Sequence, residues 1–410
     1  MKKPELLAPA GDLEKLKIAV LYGADAVYFG GENFSLRAGA GNFSLEDLKE
    51  GIAFAHARGV KCHMTLNFFA HNEDVQPLME YLRQIKDLGI DAYIAADPGV
   101  IDMIHQIIPD AQIHLSTQAN MTNYMTAMFW YKQGIRRLVL ARELSLEEIK
   151  QIKEKIPEDM ELETFVHGAM CISYSGRCLL SNFMIERDAN RGMCAHPCRW
   201  KYALVEEQRP GEYYPIEEDD RGTYILNSKD LCLIKNIPEL INAGISSFKI
   251  EGRMKSVFYV AAVVSAYRKA IDSYVSDPDG YVFNQEWMDE LCKVSHREFT
   301  TGFYFHTPDN NDQNYLTSQY TRDYSFLAMV KEYDPDSRMA VLEQRNKMVL
   351  GDEIEIFGPN TDFFVQKIEE MYDENDQPID AAPHPQQIVK MKMSHPVEPF
   401  FMLRKRKEEK

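Results

Sequence analysis

The stretch PELLAPAGDLEKLKIAVLYGADAVYFGG, residues 4–31, holds one complete strand–helix–strand unit. Glu5 to Pro9 is a short aliphatic run, Leu13 to Tyr22 repeats apolar residues at helical spacing, and Ala26 to Phe29 is a second apolar run. Asp12 stands where a carboxylate can accept from the free amides of the first helical turn, and Gly23 stands where a left-handed residue ends a helix. This order joins two parallel strands through one crossover helix.

Outward from that unit the same pattern recurs. Further strands are expected at Lys61 to Asn67, Ala92 to Asp97, Gln112 to Gln118, Arg137 to Arg142, Glu161 to His167 and Ser247 to Glu251. Between them lie helical stretches such as Leu45 to Ala57, Val75 to Leu88, Leu146 to Ile156, Leu233 to Asn242 and Val257 to Tyr274, with Ser44 and Ser145 as further caps. Eight such units over residues 1–275 predict an α/β fold of the (β/α)8, or TIM-barrel, type. One connection is out of proportion: residues 168–223, after the seventh strand, with a hairpin expected in its second half. Active sites of such barrels lie at the C-terminal ends of the strands, so this insertion belongs over the catalytic mouth. Residues 276–318 read as a linking region with a helix near Glu286 to Val294, and residues 319–410 as a small C-terminal all-β domain, a β-barrel of six strand-like runs.

Bulk composition narrows the class. The 410 residues are 45% hydrophobic and 27% charged, and no apolar run reaches the ~18 residues of a membrane span. Prolines break the apolar N-terminal segment, which does not read as a signal peptide, so a cytoplasmic protein with reduced thiols is expected. A net charge of −17 argues against nonspecific nucleic-acid binding driven by counterion release. Local basic patches remain candidates at Arg404 to Lys407, a tail that reads as solvated, and at Lys249, Arg253 and Lys255.

The chemistry concentrates in the insertion. Cys171, Cys178, Cys194 and Cys198, spaced C-x6-C-x15-C-x3-C, are four of only seven cysteines. That spacing favours an iron–sulfur cluster over the close pairs usual for zinc, with zinc, or a purely loop-folding role, as the alternatives. Cys62 and Cys292 read as core thiols, and Cys232, at an expected helix start, as a fallback ligand. Polar residues gather at the strand ends: Arg37, Asn67, Asp97, Ser116, Thr117, Gln118, Asn120, Arg142, Glu143, Lys249, Glu251 and Arg253. Asn67 and Asp97 read as satisfied loop residues; the others would line a cationic cup suited to an anionic small molecule. His167 is the expected proton-transfer group. Neither H-E-x-x-H nor G-x-S-x-G occurs, and Gly39-Ala40-Gly41 is a weak dinucleotide signal.

The run from Glu163 to Cys178 resembles the signature E-x-F-x-x-G-[SA]-[LM]-C-[IM]-x-x-S-G-x-C of the collagenase-like peptidase family. Leu7 to Gly11 with Gly23 to Tyr28, His114 to Gln118, Lys249 to Arg253 and His296 to Gly302 extend the likeness along the chain. The resemblance implies a [4Fe-4S] cluster on Cys171, Cys178, Cys194 and Cys198 and oxygen-independent hydroxylation. The ending Cys194-Ala-His-Pro-Cys198-Arg-Trp200 and a single C-terminal β-domain look most like the subgroup that converts the tRNA wobble uridine to 5-hydroxyuridine with prephenate. That likeness implies tRNA as macromolecular partner, prephenate as co-substrate and an electron donor of unknown identity. Arg37, Gln118, Asn120, Arg142 and Arg253 become expected substrate contacts, and His167, Lys249 and Glu251 expected catalytic groups. A peptidase, a ribosomal-RNA cytidine hydroxylation protein, and a noncatalytic partner that binds RNA or delivers electrons are the competing readings.

Overall fold

The computed structural model describes residues 2–31, 34, 43–171, 173–175, 177–187, 189, 192–200, 203–204, 214–215, 228–307 and 320–407. Strands β1 (Glu5–Pro9), β2 (Ala26–Phe29), β3 (Lys61–Leu66), β4 (Ala92–Ala95), β5 (Ile113–Leu115), β6 (Arg137–Val139) and β7 (Glu161–Ala169) lie side by side in chain order. After a two-stranded hairpin of β8 (Ala203–Leu204) and β9 (Tyr214–Pro215) come β10 (Asp230–Cys232) and β11 (Ser247–Ile250). Parallel pairing of β11 with both β7 and β1 closes an eight-stranded barrel, the TIM-type fold the sequence predicts.

Helices α1 (Leu13–Leu21), α2 (Leu45–His56), α3 (Asn72–Ile85), α4 (Pro98–Ile107), α5 (Tyr124–Lys132) and α6 (Leu146–Lys155) alternate with β1 to β7. Then α7 (Leu180–Ile185) lies in the insertion, and α8 (Ile237–Asn242) and α9 (Val257–Ser276) flank β11. The side chain of Asp12 accepts from the Lys15 amide, and Ser44 and Ser145 form capping boxes with Asp47 and Glu148. Asp97 accepts from the Val100 amide as a helix cap, so it is satisfied, as the sequence reading expects.

Strands β5 and β6 are shorter than expected. Past Leu115 the Ser116 hydroxyl turns back to the Gln118 amide, and Asn120 takes a left-handed φ of 51°, so the chain leaves the sheet as a 3-10 turn. An unforeseen strand, β10, runs antiparallel to the end of β7 and pairs in turn with β12 (Phe299–Thr300). Cys232, expected at a helix start, therefore sits in a strand opposite His167, fully paired into the sheet.

Strand alternation sorts the barrel into an outer and an inner set. Leu6, Ala8, Val27 and Phe29 join the main core under the helices, whereas Leu7, Ala26, Tyr28 and Ile94 form a separate small cluster inside the barrel. Beside them the interior carries a polar set: Glu5, His63, His114, Arg137, Glu163 and Lys249. Glu163 is 0% and Lys249 4% exposed, and their carboxylate and ammonium meet at 2.8 Å. Burial pushes the Glu163 carboxyl up, but Lys249 and Arg137 outweigh it and hold the group below its usual range.

Helix α10 (Gln285–Cys292) leads to the C-terminal strands β13 (Tyr324–Asp334), β14 (Met339–Gln344), β15 (Met348–Val349), β16 (Glu353–Phe357), β17 (Phe364–Lys367), β18 (Ala381–Ala382), β19 (Ile388–Lys392) and β20 (Met402–Arg406). Six of them form an antiparallel sheet in the order β17-β16-β20-β13-β14-β19, with its own apolar core. Met329, Phe357 and Met402 pack into the barrel core instead, which docks the sheet on it.

Arg404, expected in a solvated basic tail, is 0% exposed. Its guanidinium donates to both oxygens of Glu290 on α10 at 2.6 and 2.8 Å and to Glu355 on β16 at 2.7 Å, with the Phe357 ring beneath it. The physical reason is strand alternation: residue 404 of β20 faces inward, where a cation requires carboxylate partners. Arg404→Ala leaves Glu290 and Glu355 to Lys293, whose ammonium reaches them at 2.8 and 2.9 Å, so it should cost ~2 to 3 kcal/mol in denaturant unfolding through the lost charge-assisted bonds. A loss under ~1 kcal/mol would show the pairs are idle.

Buried histidines give the fold a pH dependence. Burial first, then the nearby Arg137 cation, lowers the His63 imidazole to about 3. Its folded value lies below the ordinary ~6.5, so the contribution is complete above that pH and is lost as pH falls toward 3. Between pH 7 and 5 this amounts to ~2 kcal/mol. The fall in melting temperature over that window should therefore be smaller for His63→Gln than for the wild-type chain. Equal falls would remove His63 as a contributor.

Candidate functional site

At the C-terminal ends of the strands a pocket of about 60 Å³ opens into the barrel. Tyr28, Thr65, Asn67, Ser116, Thr117, Gln118, Arg142, Phe165, Ser175, Lys249, Glu251 and Arg253 are among the residues that line it. Lys249 lies at the floor, its ammonium 4.5 Å from the Tyr28 ring centroid and 5.6 Å from that of Phe165. Arg253 donates to the Thr65 hydroxyl at 3.0 Å. Arg142 donates to the Ala169 carbonyl at 2.8 Å and to the Ser175 hydroxyl at 3.1 Å, which leaves further N–H groups of its fork for a ligand. Three cations and one carboxylate, Glu251, thus face one cavity; Lys249 and Arg253, read from sequence as part of a surface patch, are buried.

Two glycines make this arrangement possible. A Cβ on Gly11 would lie 2.1 Å from the Arg253 carbonyl oxygen, and one on Gly168 2.5 Å from that of Glu251. Gly168 also takes a φ of 111°, in the left-handed region. Both glycines let the chain after β11 press against neighbouring strands and aim Glu251 and Arg253 inward.

Several expected site residues are placed elsewhere. His167 does not line the pocket: its ring sits between Tyr259 and Tyr267 of α9 and Phe299 of β12, and its Nδ1 is 3.4 Å from the Tyr267 hydroxyl. The register of β7 and β11 shifts between Lys249 and Ile250, which sets His167 opposite Ile250. Burial lowers its imidazole to about 3, so it is a neutral packing residue rather than the proton-transfer group expected. Asn120 also lies outside the pocket and donates to the Gln118 carbonyl at 3.0 Å. Arg37 lies outside the described residues.

Asn67 departs the other way. Read as a satisfied loop residue, it lines the pocket with a buried Oδ1 that has no hydrogen-bond partner among the described residues. Tyr28, Thr65, Phe165 and Ser175 line the pocket too and were not singled out in the sequence. Tyr28 and Phe165 look like ordinary core residues there, and only their inward strand phase could have marked them.

The four clustered cysteines occupy the insertion beside this mouth, Cys171 exposed and Cys178, Cys194 and Cys198 half-buried. Ser175, between the first two, both lines the pocket and receives the Arg142 bond. Backbone amides point at two of the sulfurs: Leu180 N–H at Cys178 and His196 N–H at Cys194, each at 3.4 Å. Such bonds stabilise thiolates and tune a bound cluster. Among the described residues, His56, Cys62 and Asp91 are the one group of three or more His, Cys, Asp or Glu donor atoms within 4.8 Å of one another. No three of the loop sulfurs are therefore as close as the ~3.8 Å separations of a single zinc tetrahedron. Four cysteine donors gathered on one loop are the donor chemistry that an iron–sulfur cluster takes. Cys62 and Cys232 are buried, and burial pushes both thiols up to about 12, which suits core residues and not ligands.

The profile of peptidase family U32 matches residues 11–314, and that of the peptidase family U32 C-terminal domain matches residues 322–404. The tRNA hydroxylation protein P1 of Bacillus subtilis is 47% identical over 406 residues, which cover 99% of this chain and 96% of the relative. The tRNA hydroxylation protein P of Escherichia coli is 38% identical over 412 residues, 90% of each chain. A 23S rRNA 5-hydroxycytidine synthase of Escherichia coli is 38% identical over 273 residues, 67% of this chain and 40% of its own length.

Proposed function

Because the chain belongs to peptidase family U32, and its pocket joins a cationic barrel mouth to a four-cysteine loop, we propose that it takes part in tRNA hydroxylation. Its proposed reaction is the oxygen-independent, prephenate-dependent conversion of the wobble uridine to 5-hydroxyuridine, in the cytoplasm. The observation that carries this reading is the 47% identity across 99% of the chain with a protein named for tRNA hydroxylation.

The pocket supports it chemically. Prephenate is a dicarboxylate, and Arg142, Lys249 and Arg253 offer charge-assisted donors for two anionic groups at one mouth. Arg37 is proposed as a further anchor. Gln118 and the unpartnered Asn67 Oδ1 would orient polar groups of the substrate, and Glu251 is the carboxylate placed to hold or move a proton. The planar fork of Arg142 can keep its bonds to Ala169 and Ser175 while gripping a carboxylate, so substrate binding and loop position are coupled through one side chain.

Cys171, Cys178, Cys194 and Cys198 would hold a [4Fe-4S] cluster, which supplies one-electron chemistry when bound. The amides of Leu180 and His196 would then stabilise two of the thiolates against the cluster's negative charge.

Protein purified without oxygen should carry about four irons per chain. Cys194→Ser should lower that content, while Cys62→Ser, a change inside β3, should not. Equal loss from both, or colourless protein with stoichiometric zinc, would overturn the ligand assignment. Mass spectrometry of tRNA nucleosides from a deletion strain should show 5-hydroxyuridine restored by the wild-type chain and not by Cys194→Ser. Unmodified tRNA in the presence of the wild-type chain would overturn the reaction proposed.

A further inference from the structure

The insertion presents apolar side chains to solvent in unusual density. Phe183 on α7 is 85% exposed and Leu179, just before it, 66%; Tyr174 and Trp200 are exposed as well. A globular surface seldom leaves so many large apolar groups together without a partner. The same segment, residues 171–200, contains Arg177, Arg187, Arg191 and Arg199 against Glu186 and Asp188, in a chain whose net charge is −17. Apolar exposure and a local excess of arginine therefore coincide on one loop.

That loop is continuous with the pocket. Arg177 lies over the Phe69 ring, 5.5 Å from its centroid, on the connection that follows β3. Ser175 lines the cavity and binds Arg142, one residue from the exposed Tyr174. A ligand lying on Tyr174 would be one residue from the pocket lining.

We infer that this face is a stacking platform for the unpaired bases of an RNA loop, which it holds while one base enters the pocket. The inference rests on the RNA reading above and adds where the RNA is gripped. Bases splayed from a loop stack on aromatic rings and arginine planes, whereas a regular duplex offers no free base faces. The exposed Arg177 and Arg187 meet phosphates, and the acidic remainder of the chain repels RNA elsewhere, so binding is confined to the mouth. A second copy of this chain is disfavoured as occupant because a two-fold contact would set the arginines of this loop against the same arginines of the other copy.

The test uses the full, cluster-loaded chain under anaerobic conditions and a fluorescent 17-nucleotide anticodon stem-loop with uridine at the wobble position, read by anisotropy. Phe183→Ala should weaken binding by about tenfold or more, the range of one lost base–aromatic stack, and Phe183→Trp should restore it. Arg177→Gln should reduce the salt dependence of binding by about one phosphate contact. A blunt RNA duplex of equal length should bind weakly and be indifferent to Phe183→Ala. Iron content should be unchanged in all three variants.

Wild-type affinity in Phe183→Ala overturns the platform. So does a Phe183→Ala chain that loses self-association in sedimentation while keeping its RNA affinity, since a second copy would then be the occupant. Wild-type protein that binds the stem-loop through Phe183 yet forms no 5-hydroxyuridine with prephenate would defeat the reaction and leave the platform standing. Normal hydroxylation by Phe183→Ala at limiting RNA would defeat the platform and leave the reaction standing.

Discussion

Glu163 and Lys249 form a buried ion pair between the strand that carries the cysteine loop and the strand that closes the barrel. A charge inside a protein is tolerated only when paired, because the cost of leaving water exceeds what any single weak contact returns. Here the pair, backed by Arg137, holds an ammonium at the pocket floor between Tyr28 and Phe165. The barrel can then offer a fixed cation to an anion without opening its core. Removing one partner strands the other, whereas replacing both with apolar groups of similar length leaves packing nearly intact.

The rest of the site is arranged around that floor. The chain after β11 turns inward over Gly11 and Gly168 and brings Glu251 and Arg253 to the rim. Arg142 ties the same rim to the insertion through Ala169 and Ser175. Pocket and cysteine loop thus meet at Ser175, next to the exposed Tyr174. On an acidic protein such a surface concentrates attraction at one mouth, which reconciles the proposed anionic substrate and RNA partner with a net charge of −17.

Much of this was legible in the sequence. Periodicity and capping residues located all eight barrel strands, and β1 and β2 end where the apolar runs end. The cysteine spacing and its position after the seventh strand placed the insertion over the mouth. What failed did so because strand phase and register are set by tertiary contacts. His167 is near Cys171 in sequence, but the register shift at Lys249 and the rings of α9 make it a packing residue. Cys232 was hidden by a three-residue strand too short to show a pattern. Arg404 read as part of a basic tail because its partners, Glu290 and Glu355, are 114 and 49 residues away. Tyr28 and Phe165 escaped notice because an inward ring lining a pocket and an inward ring filling a core share one sequence signature.

The most direct measurement is a calorimetric titration of prephenate into the full chain and into the double variant Glu163→Met/Lys249→Met. The double variant should keep its fold, since an apolar pair of similar length replaces the ionic one, and should bind prephenate at least ~tenfold more weakly because one charge-assisted contact is gone. A folded double variant that binds prephenate as tightly as the wild-type chain would contradict the assignment of the barrel mouth as the dicarboxylate site.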